Sequence, residues 1–242
     1  MKRILVIPVF NEGKHIENVL GALENEIDIF IIVNDGSTDS SEKKIFKWGN
    51  NKKNFYYLAS VSNEGMANAM RRGFLFIIKL LKENMINEED VVVNMDADGQ
   101  HNPKYVRGMI NLLKESGLDI VLARRDFSNY PLYRRLGNRL LSIYNSFLCG
   151  YKYKDVECGF RVLKARIVPE IMKYYVGYRY TNAQEIAMIT ALLNYKINNV
   201  CTIEVPYYRS GDRSGGPNFL DCILNIALCT FVCLKVRFNK KH

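Results

Sequence analysis

The first half of the chain alternates two rhythms of apolar residues. Ile4–Val9, Ile27–Val33, Phe55–Ala59 and Val91–Met95 are short, continuous runs rich in branched and aromatic side chains. Such runs predict strands buried on both faces. Between them, His15–Leu23, Ser40–Trp48 and Met66–Leu81 carry helical patterns, and the last sets Met70, Phe74, Ile77, Ile78 and Leu81 on one face. A helix around Tyr105–Leu113 and a fifth strand at Asp119–Ala123 continue the series. Regular strand–helix alternation predicts an α/β domain with a mainly parallel sheet flanked by helices.

Beyond Arg124 the pattern changes. It predicts helices at Leu136–Cys149 and Asn182–Leu193, a strand at Val200–Val205, and a Gly-rich turn segment, Arg209–Pro217, expected to move when no ligand is bound. The tail Phe219–Val236 is apolar apart from Asp221, Asn225, Thr230 and Lys235, and its charge-free stretch Cys222–Leu234 is 13 residues long. A bilayer-spanning helix needs about 20 apolar residues. The tail therefore either packs on the domain or lies in a membrane interface, with Lys235, Arg237, Lys240 and Lys241 reaching headgroups.

Composition adds an asymmetry. The 242 residues have a net charge of +9, but residues 1–100 sum to −3 and residues 101–242 to +12. A chain of this length can form one large domain with no disulfide or structural metal. All six cysteines lie in the second half without a C-x-x-C pair, which reads as reduced thiols in a cytosolic protein. Met1-Lys2-Arg3 leads directly into a short strand-like run that ends at Pro8, and no secretory signal is visible in it.

Three acidic motifs follow strands: Pro8-Val-Phe-Asn-Glu12, Asn34-Asp-Gly-Ser-Thr-Asp39 and Asp96-Ala-Asp-Gly-Gln-His101. Ligands of open α/β sheets bind outside the carboxyl ends of the strands. An Asp-x-Asp pair there can direct two carboxylates at one hard cation, with substrate phosphates completing the shell. Taken singly, Asp35-Gly36 and Asp96–Gly99 could be turns; three motifs in order point to a site. The chain has no G-x-G-x-x-G, no phosphate-loop motif and no G-x-S-x-G elbow, and its three histidines are scattered. A nucleic-acid groove would need base-stacking aromatics among its basic residues, and an acidic metal–diphosphate site argues against one.

The strings Ile7-Pro-Val-Phe-Asn-Glu12, Asn34–Asp39, Asn63-x-Gly65 and Asp96-Ala-Asp-Gly-Gln-His-Asn-Pro103 resemble family 2 glycosyltransferases of the GT-A fold. Within them the chain is most similar to dolichyl- and polyprenyl-phosphate sugar transferases. Asp155-Val-Glu-Cys-Gly-Phe-Arg161 resembles that subgroup's D-x-x-S-G-F-R, with Cys158 replacing serine. The resemblance implies a Rossmann-like domain over residues 1–217, with a donor half (1–118) and an acceptor half (119–217), followed by an amphipathic helix over 218–242.

It also implies roles. Pro8, Phe10, Glu12, Val33, Asp35, Asp96 and Ala97 would contact the nucleotide; Phe10 stands where a tyrosine is often found. Asp96, Asp98 and Gln100 would hold Mg²⁺ or Mn²⁺. Arg125 and Arg213 would hold phosphate oxygens. Arg134, Arg135 and Arg139 resemble an acceptor-facing R-R-x-x-S-R stretch, with Asn138 for serine. Around Arg213, Asn218 and Phe219 replace the Ser and Lys of an R-x-x-G-x-S-K loop. Glu185 would be the general base if the acceptor were a sugar hydroxyl; otherwise it would anchor a loop or stabilise a helix start.

The expected enzyme is an inverting, metal-dependent transferase. It would move a hexose of the mannose or glucose class from a GDP- or UDP-sugar to a polyprenyl phosphate, peripherally, at the cytoplasmic face of a membrane. A saccharide-hydroxyl acceptor in capsule, cell-wall or glycan synthesis is the alternative. A dehalogenase-type phosphatase using Asp96-Ala-Asp-Gly99 and an inactive sugar-binding module are remoter ones.

Overall fold

The four apolar runs of the first half become β1 (Arg3–Val9), β2 (Ile29–Asn34), β3 (Phe55–Ala59) and β4 (Val91–Asn94). They pair in parallel in the order β3-β2-β1-β4. The computed structural model describes residues 1–206 and 219–240, so Arg213, the segment 209–217 and Lys241 lie outside the described residues. Helices α1 (Ile16–Leu23), α2 (Ser41–Gly49), α3 (Met66–Lys82) and α4 (Tyr105–Glu115) match the predicted spans to within two residues.

The second half departs further from its sequence pattern. β5 contracts to Ile120–Leu122, and it is not the neighbour of β4. Instead β7 (Arg161–Lys164) is inserted antiparallel between them, making the sheet mixed. β8 (Ile197–Asn198) closes the edge beside β5. The predicted Val200–Val205 strand reduces to β9 (Thr202–Ile203), paired with β6 (Arg124–Arg125) in a separate ribbon. Helix α5 (Leu132–Cys149) begins directly after Pro131, four residues earlier than predicted. Helices α6 (Val168–Tyr174), α7 (Asn182–Leu192) and α8 (Phe219–Asn239) complete the chain.

Strand alternation builds two cores. Ile4, Val6, Ile31 and Val33 face one layer with Phe74, Ile77, Ile171 and Ile186, while Leu5, Ile7, Phe30 and Ile32 face the other with Leu20, Ile45 and Met109. Cys229, Val232, Cys233 and Val236 of α8 join the first core. The tail thus packs on the domain along one face. No helix among the described residues is long and apolar enough to cross a membrane.

Candidate active site

The loops leaving β1, β2 and β4 meet at the carboxyl edge of the sheet and line a cavity of about 820 Å³ with Gly65 and Met66 from the start of α3. Pro8, Phe10, Glu12, Asp35, Asp96, Ala97 and Asp98 line it, so most of the implied donor residues converge. Hydrogen bonds between loops hold this edge. The Asn11 side chain accepts from Thr38 N (2.8 Å), its own N–H reaches Ser37 Oγ (3.0 Å), and the Asp39 carboxylate accepts from Gly13 N (2.9 Å).

Asp35 is almost wholly buried and accepts the N–H groups of Gly65 (2.8 Å) and Glu64 (3.1 Å). Its charge lies at the amino end of α3, where the helix dipole favours an anion. Gly36 answers two demands here. Its φ is +70°, and a Cβ would come within 2.5 Å of the Ser62 carbonyl carbon. No other residue meets both conditions cheaply.

The Asp-x-Asp pair follows β4. Asp98 is buried and accepts from Gln100 N (2.8 Å), while the half-buried Asp96 donates its N–H to His101 Nδ1 (3.0 Å). Behind them lies the segment 155–161. A Cβ at Gly159 would stand 3.0 and 3.1 Å from the two Asp96 carboxylate oxygens, so glycine leaves room for that carboxylate. Cys158 is a buried thiol whose pKa burial pushes up to about 12, a neutral substitute for serine.

Arg161 received no role from sequence, yet it is wholly buried, one strand away from the acidic pair. It donates to the carbonyls of Cys158 (3.1 Å) and Asn182 (3.4 Å). Burial lowers its pKa, opposed in part by nearby groups including Asp96. This internal cation offsets part of the Asp96 charge from behind.

Two carboxylates after one strand end fit Mg²⁺ or Mn²⁺, which take few protein ligands and the rest from phosphates and water, and the His101 Nδ1 beside them is engaged by Asp96 N. The described residues hold no cluster of three or more His, Cys, Asp or Glu that would make a closed metal cage.

Among the described residues, Arg134, Arg135 and Arg139 of α5 lie outside the cavity, and so do four residues given nucleotide, metal, phosphate or base roles. The Val33 side chain is buried under α3, near Gly73, because strand alternation turns it into the core. Gln100 reaches away to the Pro206 carbonyl (2.8 Å). The Arg125 guanidinium is filled by Asp155, with Nε at 2.8 Å and Nη2 at 3.0 Å. Burial alone would lower the Arg125 pKa, but the Asp155 charge and hydrogen bonds raise it.

Glu185 is the fourth. It is wholly buried near the start of α7, and its carboxylate accepts Val176 N (2.7 Å), Gly177 N (3.1 Å) and Thr181 Oγ1. The loop it holds carries Arg179 and Tyr180 to the cavity wall, with Arg179 at φ +46° and its carbonyl capping Ala67 N (3.0 Å). Lys14, Arg179 and Tyr180 also line the cavity, and no motif marked them. The only sequence signal was their proximity to Glu12 and Glu185.

The glycosyl transferase family 2 profile matches residues 4–172. The chain belongs to glycosyl transferase family 2. Among relatives of this transferase, the UDP-N-acetylglucosamine--dolichyl-phosphate N-acetylglucosaminyltransferase of Methanococcus voltae is 30% identical over 220 residues, covering 84% of this chain and 83% of the relative. The dolichol-phosphate mannosyltransferase of Pyrococcus furiosus is 26% identical, over 86% of this chain and 56% of its own length. Glucosyl-3-phosphoglycerate synthase from Mycobacterium tuberculosis, solved with Mn²⁺, UDP-glucose and phosphoglyceric acid, superposes with a TM-score of 0.66 at 18% identity, covering 96% and 79% of the two chains. The fold of this family 2 transferase is GT-A.

Proposed function

We propose that this glycosyltransferase moves a hexose-class sugar, with inversion, from a nucleotide diphosphate to a polyprenyl phosphate at the cytoplasmic membrane face. The observation that carries the donor reading is the meeting of Glu12, Asp35, Asp96 and Asp98 in one cavity. The acceptor reading draws on the lipid phosphates named for the two relatives. Residues 1–118 form the donor half, to which the second half adds Arg179 and Tyr180.

Pro8, Phe10, Glu12, Asp35 and Ala97 would seat the nucleoside, with Phe10 at the exposed mouth. Asp96 and Asp98, with Gln100 if its amide turns, would hold Mg²⁺ or Mn²⁺, whose charge offsets the negative charge developing on the leaving diphosphate. The neighbour solved with Mn²⁺ and UDP-glucose supports that choice. The acceptor phosphate oxygen attacks the anomeric carbon in line, opposite the diphosphate. Arg213 is proposed to grip phosphate oxygens, and Arg125, engaged by Asp155, to brace the acceptor side.

Glu185 favours a phosphate acceptor over a hydroxyl. A hydroxyl acceptor needs a base, and the Glu185 carboxylate is already occupied by three donors of its own loop. A lipid phosphate is anionic at neutral pH and needs none.

The test is transfer from UDP-N-acetylglucosamine, UDP-glucose and GDP-mannose to a short polyprenyl phosphate, with Mg²⁺, Mn²⁺ or chelator, and anomeric configuration read by NMR. Metal-dependent, inverted product supports the reading. Transfer to a sugar hydroxyl that Glu185→Gln abolishes overturns it.

A further inference from the structure

Helix α5 packs Leu141 and Leu148 on the core, yet its fully buried positions are polar and it exposes a long apolar stripe. Its buried side chains are Asn138, Ser142 and Asn145, while Leu132, Leu136, Leu140, Ile143 and Phe147 are between 49% and 84% exposed. These five recur at spacings of four, four, three and four, which places them on one face of a helix. Single exposed apolar residues are ordinary; a stripe of five large ones is not.

The arrangement has a local cause. Asn138 donates to Asp155 (2.8 Å) and Glu157 (3.0 Å), Ser142 Oγ accepts from Val156 N (3.2 Å), and Asn145 donates to Gln184 (3.4 Å). The polar face is committed to the 155–157 segment and α7, so the apolar face must point outward.

Helix α8 lies against α5 and also exposes large apolar residues, although its buried face is apolar. Tyr144 meets Thr230 (2.5 Å), and Cys233 and Arg237 donate to the Leu148 carbonyl at 3.2 and 2.7 Å. Exposed residues flank these joints: Ile143 and Phe147 precede Tyr144 and Leu148, and Phe231, Leu234 and Phe238 neighbour Thr230, Cys233 and Arg237. Both faces of α8 are therefore apolar, and only one is covered.

Charge decides what covers the outer face. Helix α5 contains Arg134, Arg135 and Arg139 and no acidic residue, and helical geometry sets Arg135 and Arg139 along the border of the stripe. In a two-fold dimer the same patch would meet itself, bringing these arginines together without a carboxylate of α5 to offset them. Anionic lipid headgroups over an apolar interior complement both features.

We infer that the outer faces of α5 and α8 form one surface that seats the enzyme on an anionic lipid bilayer. The inference rests on the proposed lipid-phosphate acceptor for its biological setting, and it extends the docking surface from the tail to a helix within the domain. Asn138 and Arg125 share Asp155, so the buried side of α5 is fastened to the proposed acceptor side.

The test is flotation of the full chain with vesicles of phosphatidylcholine, with and without phosphatidylglycerol, alongside light scattering without vesicles. The enzyme should float with the anionic vesicles, less with phosphatidylcholine alone, and less as salt screens the arginines. The double variant Leu140→Ser, Phe147→Ser should lose about 100-fold in partitioning, at roughly tenfold or more for each inserted side chain. Its melting temperature and its transfer to a water-soluble short-chain acceptor should match wild type, because both residues are exposed. Wild-type protein that stays in the aqueous phase overturns the inference. So does a double variant that floats equally well, or a solution dimer that the double variant splits while neither floats. Vesicle binding without any sugar transfer counts against the proposed function alone; transfer without vesicle binding counts against this surface alone.

Discussion

The carboxyl edge of the sheet and helix α5 handle polar residues in opposite ways. At the edge, acidic side chains stand at the ends of apolar strands, around a cavity, and backbone N–H groups fasten those that hold the loops: Asp35 by Gly65 and Glu64, Asp39 by Gly13. In α5 the fully buried residues are polar and five large apolar residues face out beside exposed arginines, although Leu141 and Leu148 pack on the core. The first arrangement keeps charge near a ligand while burying strands. The second sacrifices hydrophobic burial on one helix, which makes sense only if something other than water meets that face.

The strongest way to break this comparison is at the joint that holds α5. Asp155→Ala removes the two-point acceptor of Arg125 and one of the two carboxylates that Asn138 reaches, leaving only Glu157 for both, and should cost about 3 kcal/mol in urea unfolding because a partly buried cation loses its main partner. The same pair predicts a pH dependence. Burial alone would raise the Asp155 pKa, but Arg125 lowers it overall. Its contribution is therefore complete above the ordinary carboxylate value and is lost as pH falls through the depressed folded value. Wild-type stability should decline on acidification in that window, and the variant should decline less.

At the opposite edge, Asp98→Ala should lower kcat by about 10²–10³-fold with the melting temperature little changed, as expected for loss of charge stabilisation at the leaving group. Full activity would sink the donor-site assignment. Glu185 distinguishes an anchor from a base. Glu185→Ala strands two buried N–H groups and should cost about 2–3 kcal/mol in stability, whereas Glu185→Gln retains an acceptor and much of the activity. A base would show the reverse: a stable Gln variant with collapsed kcat.

Gly36→Ala should destabilise by about 1–3 kcal/mol and weaken nucleotide binding measured by calorimetry, since it strains the loop that carries Asp35. The smallest effect on folding belongs to Leu140→Ser, expected within about 0.5 kcal/mol of wild type because the side chain is exposed. A large loss there would mean that the apolar face of α5 is packed after all.

Legibility followed the same division. Strands β1, β2 and β4 could be read because residues buried on both faces form unbroken apolar runs, and the acidic motifs at their ends could be placed by the parallel-sheet rule; β3, expected to be buried in the same way, is the edge strand and only partly buried. β7 could not be read. Its four residues begin with Arg161 and end with Lys164, a pattern that reads as surface, although Arg161 is wholly buried. One of its carbonyl partners, Cys158, is local, but the other, Asn182, and the flanking strands β4 and β5 come from distant segments that nothing nearby announces. Arg179 was missed for a similar reason: it reaches the cavity through a left-handed backbone turn held by Glu185, six residues later.

Sequence alone determined the α/β class, the family resemblance, and which acidic residues gather at the strand ends, because short-range periodicity and motif spacing encode them. Only tertiary structure decided the insertion of β7, the sequestration of Glu185 and Arg125, and the direction in which α5 points. β7, Arg125 and α5 depend on partners far apart in the chain, such as Asn138 with Asp155, Arg125 with Asp155 and Tyr144 with Thr230, and Glu185 depends on how the 176–181 loop folds back over it. An amphipathic pattern shows that a helix has two faces; the polar groups that fold brings to it determine which one is buried.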